Sequence, residues 1–190
     1  MWDHLFYDRL MFLSTFNHRI FLWINASATP APFLLNMAIF ISHDLIGIYL
    51  LLCTVLLIKG NSNYKKAYLH SLLLVLIGVC IAAMIDHFYY HARPFALGLG
   101  HLLIAHKATN SFPSHHMLTI SILAFSFLYQ GCQKLGAIAI LIAALVGWSR
   151  IYLGVHFPLD IVGAMILAFV LVNFYMRSRN ILVFKMKQTA

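Results

Sequence analysis

The sequence predicts an all-α membrane protein, a polytopic bundle of about five transmembrane helices. Of its 190 residues, 62% are hydrophobic and 9% are charged, whereas a typical soluble domain carries about 25% charged residues. The length suits a single domain, residues 1–190. Apolar runs long enough to cross a bilayer, about 17–25 residues each, follow one another along the chain at residues 34–58, 67–90, 115–131, 135–152 and 158–176.

The first 30 residues differ from these runs. Apolar side chains such as Phe16 and Trp23 mix there with charged ones such as Asp8 and Arg19. This mixture is typical of an amphipathic helix that lies in the membrane interface rather than crossing it. The predicted organisation is therefore an interfacial helix over residues 1–30, a transmembrane core over 34–176 and a basic cytoplasmic tail over 177–190.

The positions of lysine and arginine predict the orientation. Lys59, Lys65 and Lys66 share one connection, Lys134 lies in another, and the tail is basic. With five spans, all of these fall on one side, which the positive-inside rule assigns to the cytoplasm. The net charge of +8 is explained by topology and by contact with anionic lipids. No basic stripe with interleaved aromatic residues occurs, so no nucleic-acid partner is expected.

The segment from Ser149 to Asp160 carries the strongest functional signal. Arg150 and Asp160 are charges near a membrane boundary, where ionisable residues are costly and are usually functional. If Pro158 begins a helix, His156 and Asp160 can face each other across its first turn. A carboxylate that orients an imidazole makes histidine a directed nucleophile or base. The planar guanidinium of Arg150 suits a phosphate or carboxylate, although a structural ion pair with Asp160 is the alternative.

Two further clusters lie on the same predicted outward side of the membrane. One is Arg93-Pro94-Phe95, and the other is Ser111-Phe112-Pro113-Ser114-His115-His116. Ser114 stands at the start of a predicted helix, where free N–H groups and the helix dipole favour an anion. Arg93 adds charge-assisted donors. Together with the Ser149–Asp160 segment, these clusters favour phosphate as the ligand.

These motifs resemble the type 2 phosphatidic acid phosphatase superfamily of membrane lipid phosphatases. Its signature is Lys-x6-Arg-Pro, then Pro-Ser-Gly-His, then Ser-Arg-x5-His-x3-Asp. The third part matches in full, and the second matches with His115 in place of glycine. The first part matches only at Arg93-Pro94, because its lysine position falls on Asp86. His87 and His91 are the nearby candidates to replace that lysine.

The resemblance implies a role for each site residue. His156 attacks the terminal phosphorus and forms a phosphohistidine, Asp160 holds its imidazole, and His116 protonates the leaving oxygen and later activates water. No metal and no cofactor are expected, since the arginines supply positive charge. The residues expected to contact the phosphate or headgroup are Arg93, Arg150, Ser114 and His115.

Within the superfamily, the chain looks like the bacterial undecaprenyl-diphosphatase branch. The resemblance rests on its short length and on Phe21-Leu22-Trp23-Ile24-Asn25, on Ala38-Ile39-Phe40-Ile41-Ser42, and on Tyr152 to Asp160. It implies an acid anhydride hydrolase that recycles the peptidoglycan lipid carrier and is linked to bacitracin resistance. The expected partners are a polyprenyl diphosphate lipid and membrane lipids. The expected location is the bacterial inner membrane, with the site facing the periplasm or exterior.

Several alternatives remain open at this point. A phosphatase acting on phosphatidylglycerophosphate, phosphatidate or lipid A would use the same chemistry on another lipid. A phosphotransferase would pass the phosphoryl group to a lipid acceptor, and a lipid-binding or transport protein would keep only a degenerate site. His87 and His91, spaced i and i+4, could form half a zinc site with His101 and His106, but no Cys or Glu completes the set.

Overall fold

Seven α-helices and one short 3₁₀ turn make up the part of the chain that the computed structural model describes, residues 2–60 and 62–188. Side chains are described for residues 11–60, 62–182 and 184. No β-strand occurs within these ranges, which confirms the predicted all-α fold class. The helices are α1 (Trp2–Ile24), α2 (Pro32–His43), α3 (Leu45–Lys59), α4 (Ser62–Phe88), α5 (His115–Tyr129), α6 (Gln133–Tyr152) and α7 (Pro158–Gln188), and the 3₁₀ turn is Pro94–Leu97.

Three of the described helices, α4, α6 and α7, are long and apolar enough to cross a membrane. Helices α2 and α3 pass the same test together, as a pair bent by 43°. Helix α5 has 15 residues and rises about 22 Å, which is short of the hydrocarbon thickness of about 30 Å. The five predicted runs thus correspond to three spans, one bent span and one short apolar helix.

The first predicted run, residues 34–58, is not one continuous helix. Helix α2 ends at His43, α3 begins at Leu45, and Asp44 lies between them. Helix α2 packs on α6, whereas α3 also contacts α4, so the two halves follow different partners. Asp44 is a weak helix former at the break. An apolar run with a single charged residue does not indicate such a bend, because the bend depends on the packing partners.

Helix α5 is the centre of the bundle and packs against α4, α6 and α7. Nine of its 15 residues are buried, including Leu118, Ile122 and Phe127. A helix that is apolar on most sides is suited to a position surrounded by other helices. This central position places its first turn, which begins at His115, among the ends of the neighbouring helices.

Helix α1 packs against the same end of the bundle as the start of α5. Phe21 is fully buried, and its ring meets that of Phe157 edge-on at a centroid distance of 5.3 Å. The Asn17 side-chain oxygen accepts the N–H of Leu159 at 3.0 Å. Helix α1 therefore supports the α6–α7 turn, and its predicted place in the membrane interface stays a prediction.

The cationic connections lie at the opposite end of the bundle. A cavity of about 460 Å³ there is lined by residues of α4, α7 and the α5–α6 turn, among them Lys66, Arg179 and Gly131. This arrangement agrees with the predicted separation between a basic face and the motif-bearing face. Helix α7 continues to Gln188, so most of the predicted basic tail extends the last helix.

A glycine turn joins α6 to α7. Gly154 has a φ of 79°, in the left-handed region. The N–H groups of Gly154 and Val155 bond back to the carbonyls of Ile151 and Arg150, which is the pair of bonds in a Schellman C-cap. The turn folds His156 back over the last turn of α6, where its N–H also reaches the Arg150 carbonyl at 3.3 Å.

We expect Gly154→Ala to destabilise the protein more than Gly98→Ala. Both glycines have a positive φ, which costs an L-residue about 1–2 kcal/mol. A Cβ on Gly154 would also overlap the carbonyl oxygen of His101, whereas a Cβ on Gly98 meets nothing within 4 Å. Thermal unfolding of both variants in detergent measures the difference. Equal losses of stability would contradict the close approach at Gly154.

Candidate active site

Four segments bring buried polar side chains together at one end of the bundle. They are the α4–α5 loop, the start of α5, the end of α6, and the α6–α7 turn with the start of α7. Few charged residues occur in the whole chain, so their concentration here marks the candidate site. The buried polar side chains, each at most 6% exposed, are Arg93, Ser111, Ser114, Arg150, His156 and Asp160.

Asp160 lies in the first turn of α7, and its carboxylate reaches back to cap that helix. Its Oδ2 accepts the N–H of Phe157 at 2.8 Å, which is the backward bond of a capping box. The same oxygen accepts the hydroxyl of Ser111 at 2.5 Å and lies 3.5 Å from Nδ1 of His156. His156 and Asp160 therefore face each other as their spacing predicts, with Ser111 contacting both.

The contacts of His156 determine which ring nitrogen carries the proton. Nη1 of Arg93 lies 3.3 Å from Nε2 of His156, and a guanidinium can only donate. Nε2 is therefore unprotonated, and the proton on Nδ1 faces Ser111 Oγ at 3.3 Å. Burial lowers the pKa of His156 below its ordinary value, which keeps the ring neutral. A neutral imidazole whose Nε2 is unprotonated can act as a nucleophile.

Arg93 ties the α4–α5 loop to the α6–α7 turn. Its Nε donates to the carbonyl of Thr109 at 3.1 Å, and its Nη2 donates to the carbonyl of Asn110 at 2.8 Å. Its Nη1 donates to the carbonyl of Val155 at 3.0 Å, besides its contact with His156. Arg93 thus holds the residue before His156 in place and keeps a positive charge beside Nε2.

Arg150 is a second buried guanidinium, on the last turn of α6. Its Nη1 donates to Ser42 Oγ at 2.8 Å, and its Nη2 donates to Nε2 of His106 at 3.3 Å. Its Nε, like Ser114 Oγ, is buried without a hydrogen-bond partner. Sequence reasoning assigned no role at this site to Ser42 or His106, because their contacts with Arg150 join residues far apart in the chain.

Neither Arg93 nor Arg150 has a carboxylate within 4 Å among the described residues. Buried cations are costly unless an anion or good hydrogen bonds compensate them. Carbonyl, hydroxyl and imidazole acceptors supply part of this compensation. Two such guanidiniums in one buried cluster suit an anionic ligand with several oxygens, such as a phosphate.

The start of α5 adds backbone donors to the cluster. Ser114 is the N-cap residue, and its side chain makes no capping hydrogen bond. The N–H groups in the first turn of a helix have no intrahelical partner and favour an anion. His116 is half-buried on this turn. The predicted phosphate contacts Arg93, Arg150 and Ser114 are thus all buried at one end of the fold.

The two departures from the family signature contact each other. Oδ2 of Asp86 lies 3.3 Å from Nε2 of His115, and its Oδ1 accepts Nδ2 of Asn110 at 2.7 Å. Asp86 therefore holds the first turn of α5 and the preceding loop. His87 does not replace the lysine in this arrangement, since its side chain is exposed and contacts the ring of Phe88.

Asn110 is a structural centre of the loop that sequence reasoning missed. Its Nδ2 also donates to the carbonyls of Tyr89 and Phe112, each at 2.9 Å. Its Oδ1 accepts the N–H of His91 at 2.7 Å. The available signal was only its position directly before the Ser111–His116 motif. A single asparagine thereby orders the loop that carries both Arg93 and Ser111.

The histidines considered for zinc are spread over different contacts. His91 faces Asp160, His106 contacts Arg150, and the backbone N–H of His101 donates to Asn25. In the part of the chain that the structure describes, no group of three His, Cys, Asp or Glu side chains is placed to hold a metal ion. The zinc alternative therefore lacks a ligand set among these residues.

An apolar cavity of about 380 Å³ lies between α5, α6 and α7. Met117, Ile151 and Ile161 line it, and each directly follows a candidate site residue in the sequence. Ile140 and Ala144 continue the lining along α6, and Ile24 of α1 contributes as well. The structure therefore provides an apolar cavity among the helices that carry the polar cluster.

Comparisons with known proteins decide the family. The sequence profile of the PAP2 superfamily matches residues 67–183. The chain belongs to the PAP2 superfamily. This assignment confirms the resemblance read from the three motifs. The chain is accordingly a multi-pass membrane lipid phosphatase of the PAP2 type.

Several relatives of this PAP2 chain cover most of its length. YbjG from Escherichia coli (strain K12), which carries an undecaprenyl-diphosphatase name, is 33% identical over 81% of this chain and 78% of its own. Undecaprenyl-diphosphatase BcrC from Bacillus subtilis (strain 168) is 28% identical over 87% of this chain and 86% of its own. Phosphatidylglycerophosphatase B from the same bacterium is 29% identical over 74% of this chain and 72% of its own.

Two solved structures share the PAP2 fold. One is the PAP2-type phosphatidylglycerolphosphate phosphatase from Bacillus subtilis, with a TM-score of 0.61 and 22% identity over 87% of each chain. The other is LpxE from Aquifex aeolicus, with a TM-score of 0.64 and 24% identity over 84% of this chain and 93% of that one. These similarities establish the bundle architecture.

We expect His156 to stay neutral at pH 7 with its proton on Nδ1. Burial lowers its folded-state pKa below the unfolded value of about 6.5. Below that value the unfolded chain binds more protons, so this residue contributes a loss of stability as the pH falls. ¹⁵N NMR of histidine-labelled protein, assigned with His156→Gln, measures the tautomer and its titration. A protonated Nε2 at pH 7 would contradict the arrangement.

Proposed function

We propose that the chain is an undecaprenyl-diphosphate phosphatase, which hydrolyses undecaprenyl diphosphate to undecaprenyl phosphate and inorganic phosphate. The observation that carries the proposal is the unprotonated Nε2 of His156, which lies beside the Arg93 guanidinium with Asp160 behind the ring. The relatives with undecaprenyl-diphosphatase names favour this lipid over others. The reaction would recycle the lipid carrier of peptidoglycan synthesis, the step associated with bacitracin resistance.

The reaction takes place in two phosphoryl transfers. In the first, Nε2 of His156 attacks the terminal phosphorus, and the bond from that phosphorus to the bridging oxygen breaks. His116 protonates the leaving oxygen, so undecaprenyl phosphate departs and a phosphohistidine remains. In the second, His116 takes a proton from a water molecule, whose oxygen attacks the phosphorus and releases phosphate. His156 is then restored.

Asp160 and Ser111 act on the other side of the imidazole. As Nε2 forms a bond to phosphorus, the ring gains positive charge. The Asp160 carboxylate stabilises that charge, and the Ser111 hydroxyl, bonded to both residues, keeps Nδ1 directed toward it. A buried carboxylate that orients an imidazole and stabilises its positive charge has the same role in catalytic triads.

The phosphate oxygens are held by charge and by backbone donors. Arg93 and Arg150 supply guanidinium groups, and Ser114 adds the N-terminal turn of α5. His115, held by Asp86, adds a further contact to the phosphate or headgroup. Such preorganised donors stabilise charge as it moves in the transition state. The proposed reaction therefore needs no metal ion and no cofactor.

The lipid tail and the location of the site complete the proposal. The apolar cavity beside the site suits the first isoprenoid units of a polyprenyl chain, and apolar burial there contributes to affinity. The cationic connections at the opposite end of the bundle favour that end as cytoplasmic. The enzyme would then work at the outer face of the bacterial inner membrane, within a single domain over residues 1–190.

We expect His156→Ala to release no measurable phosphate from undecaprenyl diphosphate while remaining folded. The variant lacks the attacking nitrogen but keeps the buried arginines. Phosphate release by purified protein and thermal unfolding in detergent measure the two properties. Leu141→Ala serves as the control, because Leu141 is an exposed residue of α6. Near-normal turnover by His156→Ala would overturn the nucleophile assignment.

The second candidate function is hydrolysis of phosphatidylglycerophosphate, since one relative carries that activity in its name. A panel of undecaprenyl diphosphate, undecaprenyl phosphate, phosphatidate and phosphatidylglycerophosphate, with and without chelator, separates the candidates. We expect the highest kcat/KM for undecaprenyl diphosphate, unchanged by the chelator. A preference for a monophosphate would favour the second candidate, and loss of activity in chelator would contradict a metal-independent reaction.

We expect Ala144→Trp to raise the KM for undecaprenyl diphosphate by about tenfold or more. Ala144 lines the apolar cavity, and displacing one branched apolar group from it removes about 1.5–3 kcal/mol of burial. Leu141→Trp is the matched control, because Leu141 is on the same helix and outside the cavity lining. Farnesyl diphosphate, with a shorter chain, measures how much of the effect depends on tail length. Equal KM values for both variants would contradict a tail site in this cavity.

A further inference from the structure

The two carboxylate oxygens of Asp160 have different surroundings. Oδ2 accepts hydrogen bonds from Ser111 and from the Phe157 N–H, and it faces His156. Oδ1 is buried and makes no hydrogen bond to a described residue. The atom opposite it is Nδ1 of His91, at 3.1 Å, also buried. The carboxylate is thus placed between two histidines, and the mechanism above uses only one of them.

Backbone bonds and ring contacts hold His91 in this position. Its N–H donates to Asn110 Oδ1 at 2.7 Å, and its carbonyl accepts the N–H of Ser111 at 2.8 Å. Its ring stacks on Tyr89 at 6.2 Å and lies 5.8 Å from the ring of Phe157. The backbone bonds and the two ring contacts fix His91 in the loop, so the approach of its Nδ1 to Asp160 is built into the loop.

The His91 side chain also lines a cavity. The side chain is 32% exposed, whereas that of Asp160 is fully buried. The cavity measures about 330 Å³, and Asn17 and Phe112 line it together with His91. His91 can therefore exchange a proton with its surroundings while its Nδ1 stays against the carboxylate.

We propose that His91 is a positioning residue: its imidazolium holds Oδ1 of Asp160, so that Oδ2 stays aligned with Ser111 and His156. This inference rests on the proposed role of His156 as the nucleophile. Without a donor at Oδ1, the carboxylate could rotate about χ2 and leave Nδ1 of His156 without its partner. A small misplacement of an orienting group is enough to slow catalysis by about 10²-fold.

The charges around His91 are consistent with this role. Asp160 of α7 is the titratable group in direct contact, and this interaction raises the pKa of His91. Tyr89 stacks on the ring, and Asp86 of α4 is joined to His91 only through Asn110. Helix α1 contributes the uncharged Asn17 to the shared cavity. The protonated ring therefore persists to higher pH than that of an ordinary histidine.

The test compares His91→Ala and His91→Asn with wild type. For His91→Ala we expect kcat to fall by about 10- to 100-fold with KM changed by less than about twofold, because the alignment of Asp160 is lost. Asparagine keeps a donor near the position of Nδ1, so His91→Asn should recover part of kcat. His87→Ala, a change at an exposed histidine near the end of α4, should match wild type.

The pH profile separates positioning from a merely structural role. The pKa of His91 is raised in the folded protein. The protonated ring that holds Asp160 is therefore fully populated at low pH, and it is lost as the pH rises through that pKa. We expect an alkaline decline in wild-type kcat that is absent from His91→Asn. An unchanged profile in both variants, or a kcat for His91→Ala within twofold of wild type, would overturn the proposal. A loss of kcat that is explained entirely by a lower unfolding temperature would also overturn the proposal.

The readouts are independent of the identity of the lipid. Rates are measured on whichever substrate of the lipid panel the wild type hydrolyses best, so a wrong substrate assignment leaves the test of His91 intact. ¹⁵N NMR of labelled histidines, assigned with His91→Gln, adds a readout that needs no turnover. It should show a proton on Nδ1 of His91, and an unprotonated Nδ1 would contradict the proposal.

Discussion

The carboxylate of Asp160 is the contact on which the rest of the site depends. It caps the first turn of α7, accepts the hydroxyl of Ser111 from the α4–α5 loop, and faces Nδ1 of His156 from the α6–α7 turn. A fully buried carboxylate is costly without donors, so these segments are held to the positions that supply them. Three parts of the chain are thereby fixed around one imidazole whose Nε2 is unprotonated and contacts Arg93.

The two buried guanidiniums of the site have no carboxylate within 4 Å among the described residues. Arg93 and Arg150 are buried and bonded to carbonyl, hydroxyl and imidazole acceptors rather than to carboxylates. A phosphorylated lipid would supply the missing anion at the membrane boundary, while its tail remains in apolar surroundings. The apolar cavity is lined by residues of α5, α6 and α7, the same helices that carry His116, Arg150 and Asp160.

The departures from the superfamily signature are coupled rather than independent losses. Asp86 stands where the signature has lysine, His115 stands where it has glycine, and the two side chains meet at 3.3 Å. Asp86 lies near the end of α4 and His115 in the first turn of α5, so their contact joins these two helices beside the candidate site.

The sequence by itself determined the class of fold, the three motifs and the pairing of His156 with Asp160. Each of these is local: apolar runs follow from composition, and a spacing of four residues after Pro158 brings two side chains to one turn. It also indicated the PAP2 family, which the comparisons confirm. Its assignment of catalytic and phosphate-binding roles stays a prediction, because those roles depend on a reaction rather than on positions.

Only the tertiary structure decided the bend at Asp44, the contact of Ser42 and His106 with Arg150, the ordering of the loop by Asn110, and the placement of His91 on Asp160. These contacts join residues that are distant in the chain, and several involve single polar atoms in a long loop. No periodicity marks such partners, because the geometry that makes them neighbours is set by packing around α5. The sequence therefore defines the candidate reacting groups, and the packing defines which residues contact them.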